Sequence, residues 1–134
     1  MRVLVTGGAG YIGCILVPML LEAGHQVTVL DSFRKGGLGL LPWAGNPNLE
    51  VVTGDVRDPR AIQEGLYGAD VIMHLAAIVG YPACSKDPWL AQTTNVEGTI
   101  NILQHRSPNQ LVVYPSSLSN YGTVVGATCT EEME

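Results

Sequence analysis

Three glycines spaced three residues apart, Gly7, Gly10 and Gly13, stand between two apolar segments of different period. Before them, Val3-Leu4-Val5 is a short run of branched residues that reads as a buried strand. After them, Ile12, Ile15, Leu16, Met19 and Leu20 recur at helical spacing. A strand that breaks into a glycine turn and re-enters as a helix brings free N–H groups and the positive end of the helix dipole to one point, where a phosphate is favoured. Gly7 can supply the tight turn. Gly10 carries no side chain to hold a pyrophosphate off the backbone, and Gly13 lets the helix lie close to the strand. This is the context of a dinucleotide-binding fingerprint, with the spacing T-G-x-x-G-x-x-G in place of G-x-G-x-x-G. A glycine-rich loop without a ligand is the competing interpretation.

Composition narrows the class. A chain of 134 residues is one domain of common size, large enough for a real core. With 46% apolar and 14% charged residues it suits an α/β protein whose parallel strands are covered on both faces. A net charge of −5 without a basic run argues against nucleic acid as a partner. No apolar run reaches membrane-spanning length, and the N-terminus lacks the long apolar stretch and cleavage site of a signal peptide. Cys14, Cys84 and Cys129 are odd in number and scattered, which fits reduced thiols in a cytoplasmic protein. No pair of them has zinc-site spacing, so no metal site is expected.

Thr6-Gly7-Gly8-Ala9-Gly10-Tyr11-Ile12-Gly13 resembles the extended branch of the short-chain dehydrogenase/reductase superfamily. The resemblance implies a Rossmann-like, doubly wound parallel sheet that binds NAD, with Tyr11 and Ile12 contacting the cofactor beside the three glycines. Four further stretches match in order. The first helix is expected over about Tyr11 to Ala23, disturbed at Pro18 and closed by Gly24, with His25 a solvated turn residue. A second strand, Gln26–Leu30, ends at Asp31, where this fold places an acidic residue to accept from the adenosine ribose hydroxyls. Its charge disfavours the extra phosphate of NADP. Arg34 and Lys35 could receive that phosphate, or be a solvated loop. Residues 32–48 read as a long connection with Trp43 as packing. Leu49–Thr53 reads as the third strand, and Gly54-Asp55-Val56-Arg57-Asp58 is the second match. By resemblance, Asp55 contacts the adenine amino group and Val56 covers the ring. Asp58, before Pro59, reads as a helix cap.

The fourth strand, Ala69–Leu75, runs into His74-Leu75-Ala76-Ala77, the third match. The resemblance assigns Leu75, Ala76, Ala77 and Val79 to cofactor contact, while His74 reads as a core histidine satisfied by backbone. Residues 78–88 are expected to form a substrate-facing loop at the strand end. Cys84 within it has no neighbouring base and is not read as catalytic. Asp87 and Pro88 open a long helix through Leu103, containing Asn95-Val96-Glu97-Gly98-Thr99, the fourth match. The family's Asn, here Asn95, helps hold the active site and the cofactor. Mid-helix Asn is unfavourable unless it makes a tertiary hydrogen bond, so a solvated Asn is the alternative. Gln110–Tyr114 is the fifth strand, followed by Ser116-Ser117-Leu118-Ser119-Asn120-Tyr121-Gly122, the match to nucleotide-sugar epimerases and dehydratases. It places Ser117 at the family's catalytic Ser/Thr; a serine-rich turn is the alternative.

The family's Tyr-x-x-x-Lys pair does not occur. The residues four places after Tyr11, Tyr67, Tyr81, Tyr114 and Tyr121 are Ile15, Val71, Ser85, Leu118 and Val125. The expectation is therefore an NAD-binding domain over residues 1–134 that is incomplete, truncated before the catalytic helix and substrate domain. The resemblance implies an NAD-dependent nucleotide-sugar epimerase, which oxidises a sugar carbon by hydride transfer and returns the hydride. A 4,6-dehydratase or other extended oxidoreductase is the alternative, and a non-enzymatic NAD-sensing module the alternative of another class. A nucleotide sugar is the expected partner, with a homodimer through the helix containing Asn95.

Overall fold

The protein is a computed structural model that defines residues 1–117 and residue 130. Its five strands are β1 (Arg2–Thr6), β2 (Gln26–Asp31), β3 (Leu49–Thr53), β4 (Val71–His74) and β5 (Leu111–Val113). They form one parallel sheet in the order β3-β2-β1-β4-β5. The chain winds outward from β1 to β3, then crosses back to β4. The crevice at that reversal, between the carboxyl ends of β1 and β4, is where open α/β sheets bind ligands. Thr6 is level with both Leu30 and His74, so the glycine turn leaves β1 at the height where β2 and β4 end.

The described residues form five helices: α1 (Gly13–Glu22), α2 (Pro59–Leu66), α3 (Tyr81–Lys86), α4 (Pro88–Gln92) and α5 (Gly98–His105). A 3-10 turn spans Leu38–Trp43 and a π turn spans Thr93–Glu97. Side chains alternate across β1, and the core divides accordingly. Leu4 joins Leu30, Ile62, Ile72 and Ile102 under α2 and α5, whereas Val3 and Val5 join Val17, Leu21 and Val29 under α1. The central strands β1 and β2 are buried on both faces, the doubly wound arrangement that the apolar strands imply.

Local chemistry sets the helix ends. Gly24 has φ +79° and closes α1, its N–H donating to Leu21 and that of His25 to Leu20, the paired bonds of a Schellman cap. Asp58 caps α2 by accepting from the Arg60 N–H at 2.9 Å, with Pro59 at the first helical position. α1 runs through Pro18 without a break. Trp43 packs against the core beside α1, as expected.

Two expectations are corrected. The segment expected as a loop after β4 contains α3, because Pro82 falls in its first turn, where a missing N–H costs no bond. The long helix after Asp87 is divided into α4, the π turn and α5. At the division the Thr93 hydroxyl donates back to the Trp89 carbonyl at 2.9 Å, which competes with the regular ladder. β5 is an outer strand among the described residues, with Leu111 and Val113 exposed. No helix among the described residues is long and apolar enough to cross a membrane.

Ile72 is fully buried at the centre of the sheet. Ile72→Ala should lower the unfolding free energy by about 2–5 kcal/mol, read as a fall in the urea midpoint.

Candidate functional site

The turn after β1 is packed too closely for side chains. Gly7 has φ +70°, and a Cβ there would stand 2.7 Å from the Ala76 nitrogen. A Cβ at Gly13 would run into the backbone of Gly8. Gly13 thus lets α1 approach the turn itself, a correction to its expected approach to the strand. Among the described residues the only near neighbour of a Cβ at Gly10 would be the Gly7 carbonyl at 3.1 Å, so its outer side is open to them. Ile12 at the N-cap offers no capping side chain. Among the described residues no carbonyl accepts from the N–H groups of Tyr11 or Ile12. Exposed donors, an uncapped helix start and an open glycine fit a diphosphate.

Asp31 ends β2 beside this turn. Its Oδ2 accepts from the Ala9 N–H at 3.0 Å and its Oδ1 from the Phe33 N–H at 2.8 Å. Phe33 is held at φ +54°, a region that costs a bulky residue about 1–2 kcal/mol. A carboxylate has roughly four acceptor positions, so Asp31 keeps capacity for hydroxyl donors.

Past β3, Asp55 and Arg57 form a two-point ion pair. Nη2 of Arg57 donates to Oδ2 at 2.7 Å, and Nε donates to Oδ1 at 2.9 Å. The hydrogen bonds from Arg57 hold the Asp55 carboxyl below its ordinary value, against the opposing effect of burial, and Asp55 raises Arg57 in return. Val56 between them is 4% exposed and packs against Gly98. Its side chain is therefore core, a correction to the expectation that it covers a base, because the turn after β3 points it inward.

At β4 the structure joins residues that the sequence kept apart. His74 is 3% exposed, with Nδ1 at 2.6 Å from Thr6 Oγ1 and Nε2 at 3.0 Å from Thr99 Oγ1. Its partners are two hydroxyls, not the expected backbone. The Thr99 hydroxyl donates to the Asn95 carbonyl at 2.6 Å, so Nε2 must carry the ring proton and Nδ1 must accept from Thr6. Thr6 in turn accepts from the Ala76 N–H at 3.3 Å. Burial pushes the imidazole down to about 4, which keeps it in the neutral form this chain of bonds requires.

Asn95 lies in the π turn, and its amide does make a tertiary contact. Oδ1 accepts from the Ile78 N–H at 2.8 Å and Nδ2 donates to the Ile78 carbonyl at 2.9 Å. Both ends of the amide are engaged on the strand-end segment. Asn95 thus positions that segment through the tertiary hydrogen bond that a mid-helix Asn needs. Leu75 and Ala76 are half-buried behind the crevice, while Ala77 and Val79 are exposed. Cys84 donates from Sγ to the Ile78 carbonyl at 3.3 Å. A shallow cavity of about 310 Å³ lies between Cys84, Ala91 and Asn95. Ser117 is exposed beyond the end of β5. Tyr121 and Gly122, which complete its motif, and Cys129 lie outside the described residues.

Sequence reasoning missed Thr6, Arg57, Thr99 and Ile78. Two carried a local sign: Arg57 is two residues from Asp55, and Thr99 is one helical turn from Asn95. Thr6 and Ile78 take part through pairings that only the sheet creates.

The fold and this crevice define a Rossmann-like dinucleotide-binding architecture. The chain belongs to the NAD-dependent epimerase/dehydratase family, whose pattern matches residues 3–134. It is 33% identical over 140 residues to UDP-glucose 4-epimerase 2 of Oryza sativa subsp. japonica, covering 97% of this chain and 34% of that protein. It is 40% identical over 124 residues to 3 beta-hydroxysteroid dehydrogenase/Delta 5-->4-isomerase of Mycobacterium tuberculosis, covering 88% of this chain and 32% of that protein. A dTDP-glucose 4,6-dehydratase double mutant from Streptomyces venezuelae, solved with NAD bound, superposes with a TM-score of 0.89 at 35% identity. That match covers all of this chain and 45% of that one. The chain thus spans about a third of the length of these two curated relatives.

The neutral histidine has a pH consequence. The unfolded chain binds a proton at an ordinary value of 6.5, and the folded chain only near 4. Stability from this group is complete above pH 6.5 and drains as pH falls towards 4, by up to about 3 kcal/mol. Urea midpoints compared at about pH 7.5 and about pH 5 should show the loss, and in His74→Gln that part of the slope should vanish.

Proposed function

We propose that this chain binds NAD across the crevice between β1 and β4 and is the cofactor-binding part of a nucleotide-sugar epimerase. The observation that carries the reading is the uncapped, open start of α1 at the glycine turn, flanked by the Asp31 carboxylate. In this reading the N–H groups of Tyr11 and Ile12 hold the diphosphate, with Gly7, Gly10 and Gly13 allowing the approach. Asp31 accepts from the adenosine ribose, and Asp55 from the adenine amino group, beside the backbone of Val56. Leu75, Ala76, Ala77 and Val79 line the nicotinamide half, on a segment that Asn95 holds. When bound, NAD supplies a reversible acceptor for hydride from a substrate carbon. Ser117 hydrogen-bonds the reacting sugar oxygen and stabilises the charge that develops there.

The nucleotide-sugar substrate is supported by the S-S-x-x-x-Y-G stretch after β5 and by the identity to a UDP-glucose 4-epimerase. A 4,6-dehydratase is the second reading, favoured by the likeness to a dTDP-glucose 4,6-dehydratase over the whole chain. No Tyr-x-x-x-Lys occurs in these 134 residues, which span about a third of the two curated relatives.

Calorimetric titration of the purified chain tests cofactor binding. NAD should bind at least about tenfold more tightly than NADP, because Asp31 faces the extra phosphate, and Asp31→Asn should bring the two towards parity. Absence of NAD binding overturns the reading. Incubation of the full gene product with UDP- and dTDP-sugars then separates epimerisation, dehydration and binding without conversion. Turnover of a hydroxysteroid instead of a sugar would overturn the substrate assignment.

A further inference from the structure

We propose that Arg57 is a positioning residue that leaves Asp55 a single outward acceptor, and thereby sets selectivity for a purine carrying an amino group. The inference rests on the NAD reading above and adds to it a residue outside the fingerprint. A carboxylate offers roughly four acceptor positions. At Asp55, Oδ1 accepts from the Arg57 N–H at 3.0 Å and from Nε at 2.9 Å, and Oδ2 accepts from Nη2 at 2.7 Å. One position remains, on Oδ2. A base must present a donor there, because an acceptor atom would meet the remaining lone pair.

Arg57 is itself fixed. Its guanidinium lies 5.7 Å from the centre of the Trp89 ring, and Nη1 donates to Thr93 Oγ1 at 3.3 Å. Thr93 is 5% exposed, and its own proton goes to the Trp89 carbonyl, which leaves its oxygen to accept from Arg57. The Asp55 carboxylate is thus oriented by an arginine anchored on α4 and the π turn. A loop carboxylate without that anchor would rotate and present either oxygen. The planar guanidinium is suited to this task, since it fixes both oxygens at once, which an ammonium cannot.

The test compares NAD with nicotinamide purine dinucleotide, which carries a hydrogen in place of the adenine amino group and so offers no donor at that edge. Both are titrated into the purified 134-residue chain and its variants Arg57→Gln and Arg57→Lys, with circular dichroism and urea midpoints to check folding. The unmodified chain should prefer NAD by about tenfold or more. Arg57→Gln should weaken NAD by about tenfold and the purine dinucleotide by less than about twofold, so that the preference collapses. Arg57→Lys should lose most of it while keeping the charge. Equal weakening of both ligands, or an unchanged preference in either variant, overturns the proposal and leaves Arg57 a purely structural ion pair. Failure of the unmodified chain to bind NAD overturns the underlying reading, a result distinct from binding that Arg57 does not influence.

Discussion

No side chain fits at Gly7 or Gly13, and the functional end of the sheet is built around that exclusion. At Gly7 the constraint is Ala76, two residues beyond the end of β4. At Gly13 it is the backbone of Gly8 in the turn itself. The turn is therefore pressed against β4 on one side and against its own helix on the other. What results is a helix start with its donors outward and no capping side chain. Asp31 is drawn into the same unit by the Ala9 N–H.

The π turn joins the two ends of this crevice. Thr93, at its start, receives Arg57 from the side of Asp55. Asn95, in its middle, grips Ile78 on the other side, and Thr99, just after it, reaches His74 and through it Thr6. A regular helix turns about 100° per residue, and π turns recur at functional sites because the extra residue re-aims neighbouring side chains. Here the segment directs Thr93 to one loop and Asn95 to another. The buried imidazole is the most demanding member, since a charged ring would need two acceptors where the structure supplies one acceptor and one donor.

The strands were legible because branched apolar runs of this length, ending in Gly, Asp or Ala, have few alternatives in a parallel sheet. So were the caps at Asp58 and Asp87, since each pairs an acceptor with a following proline. Asp31 was legible as the acidic end of the second strand. Position in the chain did not reveal which way a side chain points. The resemblance puts Val56 over a base, but tertiary packing against Gly98 turns it inward. Asn95 was recognised as needing a partner, but its partner is the Ile78 backbone, reached across the crevice. His74 was expected to be buried, yet its two hydroxyl partners lie on β1 and α5, 68 and 25 residues away. α3 lies where a loop is expected, and its Pro82 falls in the first turn, which a helix accepts.

The central claim is that the glycine turn receives a diphosphate at the start of α1. A crystal structure of this chain grown with NAD tests it most directly. The account predicts diphosphate oxygens within about 3 Å of the Tyr11 and Ile12 nitrogens, with the ribose hydroxyls on Asp31. A diphosphate bound elsewhere, for example in the cavity between Tyr67, Asp70 and His105 at the opposite end of the strands, would contradict it.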